Sequence, residues 1–494
     1  MKNTLRLIVM TLITCHLSPI TTSAQTLNVN MGQVTYAYRS DKTNDMTYTN
    51  GTTLTICGKT YNTADIDNIT IDNTAVGDST ISVTYTETTA KVVVSGDIAS
   101  MVTAEVSGAK VKIVQSEELQ STVNYTLTGN SNEGLFYMDG HFKTNITLRD
   151  LTLSNATDSL IYIDCGKKVY LILEGTNTLT DGINGKHNAC LYSDGHTEIQ
   201  GDGTLNITAR TKHGFNSDER FVMSGGTVNV LAAPGDGFHI SERFTMTGGT
   251  INIKSVGDGI DVGFRGATKG TKDQYEHNGW AEISGGNIIL DVTGDTSKGL
   301  KADSTIVVSG TADLNITLSG NCVYNAVERD INGTSAIKTG GAYQQSGGTV
   351  FTLHTGEGGR GINATDEVTF TGGTATVVTC GELYAYGALE KKSHAVKSDK
   401  NIYINGGDLR IAASADDGKA LDPGSIKYYF YINGGTLMAI SGQVITPATG
   451  SKQAYRKYAN ISLTSGQTIK LNGISFTIPA PYNNKKSAII VSPV

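Results

Sequence analysis

The chain has 494 residues, 58 of them Gly and only 7 Pro, with 17% charged residues and a formal net charge of −7. This is not the Pro- and charge-rich balance of a disordered chain, and no basic stripe is present to replace phosphate counterions, which excludes nucleic acid as a partner. The length allows about two to four ordinary domains or one large repetitive domain, and the β-branched, Gly-rich composition favours strands and turns.

The N-terminal stretch carries Lys2 and Arg6, an apolar run from Leu7 to Leu17 and a small-residue exit at Thr22-Ser23-Ala24. It predicts a secretory signal peptide over residues 1–24, too short to serve as a membrane anchor, and hence a periplasmic, cell-surface or extracellular protein. Cys15 faintly resembles a lipoprotein box, but Thr14 before it is larger than that box takes and no flexible tether follows. No later segment reaches the ~18 apolar residues of a membrane helix. Cys57, Cys165, Cys190, Cys322 and Cys380 are odd in number and irregular in spacing, so they read as small buried hydrophobes.

Residues 25–125 alternate in the manner of strands (TISVTYTETTAKVVVSG) without a Gly-Gly beat, and predict an N-terminal β region or cap. Over 126–445 the beat takes hold: MSGGTVNV, MTGGTINI, ISGGNIIL, QSGGTVFTL, FTGGTATVV, INGGDLRI and INGGTLMAI. With IQGDGTLNI, the residues after the second Gly fall at 204, 227, 250, 287, 349, 374, 408 and 436, and VSGTADLNITL (308–318) is a degenerate copy. The step is about 23–25 residues, with longer gaps read as insertions such as 263–279. A fixed step of strand-length pieces is the signature of a solenoid. The expected fold is all-β: a right-handed parallel β-helix with about three short strands per coil. In the TINI segment, Ile251 and Ile253 should face inward and Asn252 outward. Residues 446–494 lose the beat and predict a C-terminal β cap.

A third segment follows each Asp-Gly corner: HGFNSDE, DGFHISE, DGIDVGF, KGLKADS, SAIKTGG, RGINATDE, HAVKSDK. Stacked in register, Asp236 and Asp258 become neighbours, with Asp261 projecting from the same corner. Carboxylates that close need a cation, a proton or a basic side chain between them, and oxygen donors of this kind suit Ca²⁺. Against this stands the plain turn reading, since Asp-Gly is a good turn dipeptide and a repeated turn repeats its Asp. Asp416, Asp417 and Asp422 form a weaker second cluster. One position further along, Asn216, His239, Asp261, Lys301, Lys338, Asn363 and Lys397 form a row, either a solvated face or a groove floor. Read as a groove, His239, Lys301, Lys338 and Lys397 would engage a glycan while Tyr192 and Trp280 offer rings for stacking on sugars.

The succession NITLRDLTLSNATDSLIYIDCGKKVYLILEGTNTLTDG (145–182), the coils through 230, then GDGFHISE and GDGIDV resembles the secreted bacterial carbohydrate-binding β-helix family. That family was typed by a clostridial cellulose- and pectin-binding protein, is common in gut Bacteroidetes, and is related in fold to polysaccharide lyases. The likeness spans about residues 120–445. It implies calcium at coil corners and binding of plant-type polysaccharides, cellulosic or acidic, by a non-catalytic protein taken here as a monomer. GKTYNTADIDNITI (58–71) also looks like a recurrent leader of secreted Bacteroidetes proteins. The departures are Lys298, Arg360 and His394, which stand where the family's coils carry an acid, so calcium in every coil is not expected. Two alternatives remain: a Ca²⁺-dependent polysaccharide lyase, with Lys301 the nearest approach to its base, and a structural or adhesive surface β-helix.

Overall fold

The computed structural model describes residues 25–183, 185, 187–264 and 277–493. The expected signal peptide, Cys15 and most of the 263–279 insertion lie outside these. The described chain is all-β, broken only by short 3-10 turns at Ser40–Lys42 and Ala99–Met101. It divides into two compact units, one running through residue 187 and including Tyr192–His196, the other made of Asn188–Leu191 and everything from Thr197 onward.

The first unit begins antiparallel, with Thr26–Met31 on Val34–Arg39, Thr80–Glu87 on Thr89–Ser95, and Val102–Ser107 on Lys110–Gln115. It then turns parallel. Val123–Ser131 lies between Thr80–Glu87 and Thr144–Ser154, and Lys110–Gln115 is followed by Leu135–Asp139 and Ile161–Asp164. Strand alternation places Leu127, Leu148 and Leu171 in its interior, all fully buried.

The second unit is built from three ladders of parallel strands, each strand pairing with its counterpart one repeat away. The residues after the Gly-Gly turns form one continuous register row: Thr204, Thr227, Thr250, Asn287, then Asp313 of the degenerate copy, then Thr349, Thr374, Asp408 and Thr436. The next row inward is Leu205, Val228, Ile251, Ile288, Leu314, Val350, Ala375, Leu409 and Leu437, each 0% exposed. Burying each larger member contributes about 1.5–3 kcal/mol. Outside, Asn252 donates to Asn229 at 2.7 Å and Asn229 to Asn206 at 2.8 Å, a side-chain amide ladder. The turns require Gly for two reasons, seen at Gly249: its φ is +82°, and a Cβ there would lie 2.8 Å from the Gly225 carbonyl oxygen of the neighbouring repeat.

Two antiparallel hairpins leave the array, Val323–Asn325 with Asp330–Asn332 and Tyr384–Tyr386 with Leu389–Lys391, and Tyr324 stacks on Tyr386 at 3.9 Å. At the end of the unit, Asn483–Ser492 pairs antiparallel with both Phe430–Ser441 and Arg456–Thr464. Leu463, Phe476, Tyr482 and Ile489 pack there against Ala412, Met438 and Ile440. The last parallel strand thus has an antiparallel partner rather than an open edge.

Among the polar side chains buried in this unit is a histidine. His354 is 0% exposed. Its Nδ1 accepts the Gly356 N–H at 3.1 Å, and its Nε2 lies 3.1 Å from Thr334 Oγ1, which donates to Ser297 O. Burial pushes the imidazole pKa from 6.5 down to about 3. Between those values the unfolded chain holds a proton that the folded chain does not, so stability falls as pH drops through this window and is unaffected above it. Urea midpoints at pH 7.5 and pH 4.5 are expected to differ more for the native chain than for His354→Gln; equal drops would remove His354 as the cause.

Candidate functional site

The third ladder runs His213–Ser217, Phe238–Ile240, Ile260–Val262, Lys298–Ala302, Ser335–Thr339, Arg360–Ala364, Val396–Ser398 and Leu421–Asp422. Phe215, Phe238, Ile260, Leu300 and Ile362 fill its interior row, fully buried. The Gly of each Asp-Gly corner is a packing requirement, since a Cβ on Gly237 would meet Ile253 Cγ2 at 2.3 Å.

The corner explains its own repeated acid. Asp236 Oδ1 accepts the N–H of Asp258 at 2.8 Å, and Asp258 Oδ1 accepts the N–H of Lys298 at 2.7 Å. Before them in the stack, His213 Nδ1 accepts the N–H of Asp236 at 3.0 Å, and further along His394 Nδ1 accepts that of Lys419 at 3.1 Å. At these steps the corner side chain caps the equivalent backbone donor of the next repeat. His213 was legible in the alignment of HGF with DGF, although the sequence reading assigned it no role.

The remaining oxygens are differently disposed. Asp236 Oδ2 lies 3.0 Å from His239 Nδ1, and Asp261 Oδ2 lies 3.5 Å from the same nitrogen. Asp261 Oδ1 accepts from Lys301 Nζ at 2.8 Å. Hydrogen bonds to Asp236 and then Asp261 raise the His239 pKa to about 9. Burial pushes Asp258 up to about 6, helped by Asp236 and Asp261 and opposed by Lys298. For Asp261, burial acts upward but His239 and Lys301 outweigh it, and its pKa is lowered. Lys301 is raised: burial works against its charge, and the charge of Asp261 prevails.

Among the described residues, the group of ligand atoms lying within 4.8 Å of one another is His213, Asp236 and His239. Asp258 and Asp261 do not join Asp236 in such a group as the sequence reading expected. One oxygen of each acid is already spent on a protein donor, and an imidazole stands between Asp236 and Asp261. This is not the set of six to eight oxygens that Ca²⁺ takes. The second cluster disperses too: Asp422 faces His394 and Lys419, Asp417 faces Lys392, and Asp416 accepts from Asn484.

Register joins Asn216, His239, Asp261, Lys301, Lys338, Asn363, Lys397 and also Asp422 into one row, one residue per repeat. Lys338 Nζ reaches Thr365 Oγ1 at 3.2 Å and Lys397 pairs with Asp399. Trp280 lies elsewhere, on the ladder that runs through Phe221–Met223, Arg243–Met246 and Trp280–Ile283, beside Arg243 and with one ring face against His277 at 4.1 Å. Tyr192 belongs to the first unit. It stacks on Tyr162 at 4.7 Å, and Tyr162 on Tyr137 at 5.3 Å, so these rings cover one another's faces. A groove of about 500 Å³ adjoins the acidic corner, lined by Leu231, Ala233, Pro234 and Val256 with Arg210 and Lys254, but no member of the row lines it.

The second unit is thus an all-β array of stacked parallel repeats with one polar side chain per repeat in a single register row, of which Asn216, Asp261, Asn363 and Asp422 are buried. The chain belongs to the carbohydrate-binding domain-containing protein family, whose model matches residues 107–382 and 346–450. It is 28% identical over 113 residues to a carbohydrate-binding domain-containing protein of Acetivibrio thermocellus, a match covering 20% of this chain and 40% of that relative's length. A solved structure, the gadolinium derivative of a polysaccharide lyase-like protein from C. thermocellum, superposes with a TM-score of 0.41 at 21% identity, over 54% of this chain and 96% of the other.

The capping role of the corner acids is testable. Asp258→Ala leaves the Lys298 N–H without its acceptor, and a loss of about 1–3 kcal/mol is expected. Asp258→Asn keeps that oxygen and should lose much less in the same denaturant titration. Equal losses would show that charge, not capping, is what the position supplies.

Proposed function

We propose that this chain is an exported, non-catalytic carbohydrate-binding protein, a right-handed parallel β-helix of a polysaccharide-utilising bacterium, and that it holds a plant-type polysaccharide along the third-ladder row. The observation that carries the reading is that row: His239, Asp261, Lys301, Lys338, Asn363 and Lys397 in unbroken register on a family-matched array. Neighbouring members stand one strand spacing apart, ~4.8 Å, so a chain of sugars lying across the strands would pass His239, Lys301, Lys338 and Lys397 in turn, with the buried Asp261 and Asn363 between them. Lysines on such a floor favour a ligand with carboxylates, and charge-assisted hydrogen bonds supply the affinity.

Absence of catalysis is supported by Lys301. A lyase needs a base that can take the proton next to the uronate carboxylate, and Asp261 holds Lys301 in its charged form, with its pKa raised.

Isothermal titration of the mature protein with polygalacturonate and with cello-oligosaccharides tests the reading. Binding to at least one is expected, with polygalacturonate weakened about tenfold, ~1.4 kcal/mol, in the Lys338→Ala/Lys397→Ala variant. Added salt should weaken binding further if the ligand is acidic. No heat with either glycan would favour a structural or adhesive role, and new ultraviolet absorbance from unsaturated uronate would favour a lyase.

A further inference from the structure

In the first unit five strands stand side by side in the order Asn68–Asp72, Thr26–Met31, Val34–Arg39, Thr89–Ser95 and Thr80–Glu87. Alternation turns Leu27, Val29, Ile81, Val83, Val92 and Val94 to the core, all buried. The opposite face carries polar residues in register: Thr70 beside Asn28, Asn30 beside Thr35, and Ser82 beside Val93. The chain leaves this sheet at one edge, after Asp72, and re-enters it on the fifth strand at Thr80. Residues 73–79 must therefore cross four strand spacings, ~19 Å. The crossing is pinned at both ends, by Thr26 Oγ1 donating to Thr74 O and by Thr80 Oγ1 donating to Gly77 O at 2.9 Å. A cavity of about 540 Å³ is walled by Thr74 to Gly77 of this crossing and floored by the polar face. A second hollow of about 480 Å³ shares Asn30, Thr35 and Lys91 with it and continues the groove past Asn68 and Gln33.

We propose that this cavity is a second carbohydrate site, separate from the third-ladder row, and that it takes a short neutral saccharide. Cavities of about 300–1,000 Å³ are the size that holds small ligands. One acid, Asp72, and one base, Lys91, line it, and the other polar side chains are hydroxyls and amides, so nothing in it selects a charged ligand. Hydroxyls and amides both donate and accept, which is what a sugar's hydroxyls require of a partner. Several are held in place beforehand: Asn28 Nδ2 donates to Asp72 Oδ2 at 3.0 Å, Asn30 Nδ2 to Asn68 Oδ1 at 2.7 Å, and Thr35 Oγ1 to Asn30 Oδ1 at 2.7 Å. Fixed partners lose less entropy when a ligand binds. Among the described residues, Asn28 Oδ1, Ser82 Oγ and Lys91 Nζ have no hydrogen-bond partner, and they are left to a ligand. Ala37, Val76 and Val93 supply an apolar patch for the C–H face of a sugar ring. The site lies before residue 107, where the family match begins, and it stands whether or not the row binds glycan.

The mature full-length chain and its Lys338→Ala/Lys397→Ala variant are titrated by calorimetry with glucose, galactose, xylose and cellobiose, and with galacturonate as the charged counterpart of galactose. At least one neutral sugar should bind, galacturonate should bind no more tightly than galactose, and the double lysine variant should bind the neutral sugar unchanged. Ser82→Trp, which puts a ring into the cavity, and Asn28→Leu, which removes the amide, should each weaken that sugar about tenfold or more. Saturating sugar should also slow amide hydrogen exchange in the 73–79 crossing of the native chain, a readout that does not depend on either variant folding. No binding of any neutral sugar, tighter binding of galacturonate, full affinity in a folded Ser82→Trp chain, or unchanged exchange in 73–79 would each overturn the proposal. Neutral-sugar heat lost in the lysine variant would overturn it too, and would assign that sugar to the row.

Discussion

The stacked array of the second unit follows from one constraint: each of its parallel strands takes its backbone hydrogen bonds from the strand one repeat away. Parallel pairing at a single fixed offset leaves no freedom for individual side chains, because equivalent positions must lie over one another. Leu205, Val228, Ile251 and Ile288 become one interior column, and Asn206, Asn229 and Asn252 one exterior amide ladder. The turns between ladders pass so close that the Gly249 position has no room for a Cβ. The same constraint admits a repeat of unequal length only if the surplus leaves the array, as the hairpins at 323–332 and 384–391 do.

The acidic corner is a consequence of that stacking. A corner residue faces the unpaired N–H of its counterpart, so a short acceptor there stabilises the stack, and His213, Asp236, Asp258 and His394 all act in this way. The cost is electrostatic: Asp236, Asp258 and Asp261 are brought together in a mostly buried place. The structure answers with His239 between Asp236 and Asp261, and with Lys301 on the far oxygen of Asp261. Asp258 has less help, and burial leaves its pKa at about 6. Capping and charge concentration are thus one feature seen from two sides, and the oriented oxygens around His239 are its by-product.

Stacking also decides what aromatic residues can do. Tyr137, Tyr162 and Tyr192 sit ring over ring, with His187 against Tyr162 at 3.7 Å. Rings that lie over one another along a ladder turn their edges outward, so they serve packing better than they serve as platforms for sugar faces. The polar row in the second unit has no such limitation, because long lysine side chains reach away from the sheet while their stems lie on it.

Much of this was legible in the sequence because a repeat is a one-dimensional signal. The Gly-Gly beat placed 204, 227, 250, 287, 349, 374, 408 and 436 in one row, and alternation within TINI named the inward residues; the degenerate copy entered the row at Asp313 as its pattern suggested. The outer row from Asn216 to Lys397 was readable for the same reason. What the repeat could not say was which atoms of neighbouring side chains face each other. The sequence offered three aspartates and suggested an oxygen cage. The folded chain spends one oxygen of Asp236 and one of Asp258 on backbone N–H groups, one of Asp261 on Lys301, and sets His239 between two of the others. Trp280, adjacent to the site by order in the chain, falls on a different ladder. Periodicity determines which residues are neighbours; the directions of hydrogen bonds and the limited room at each corner, which only tertiary structure decides, determine what those neighbours do.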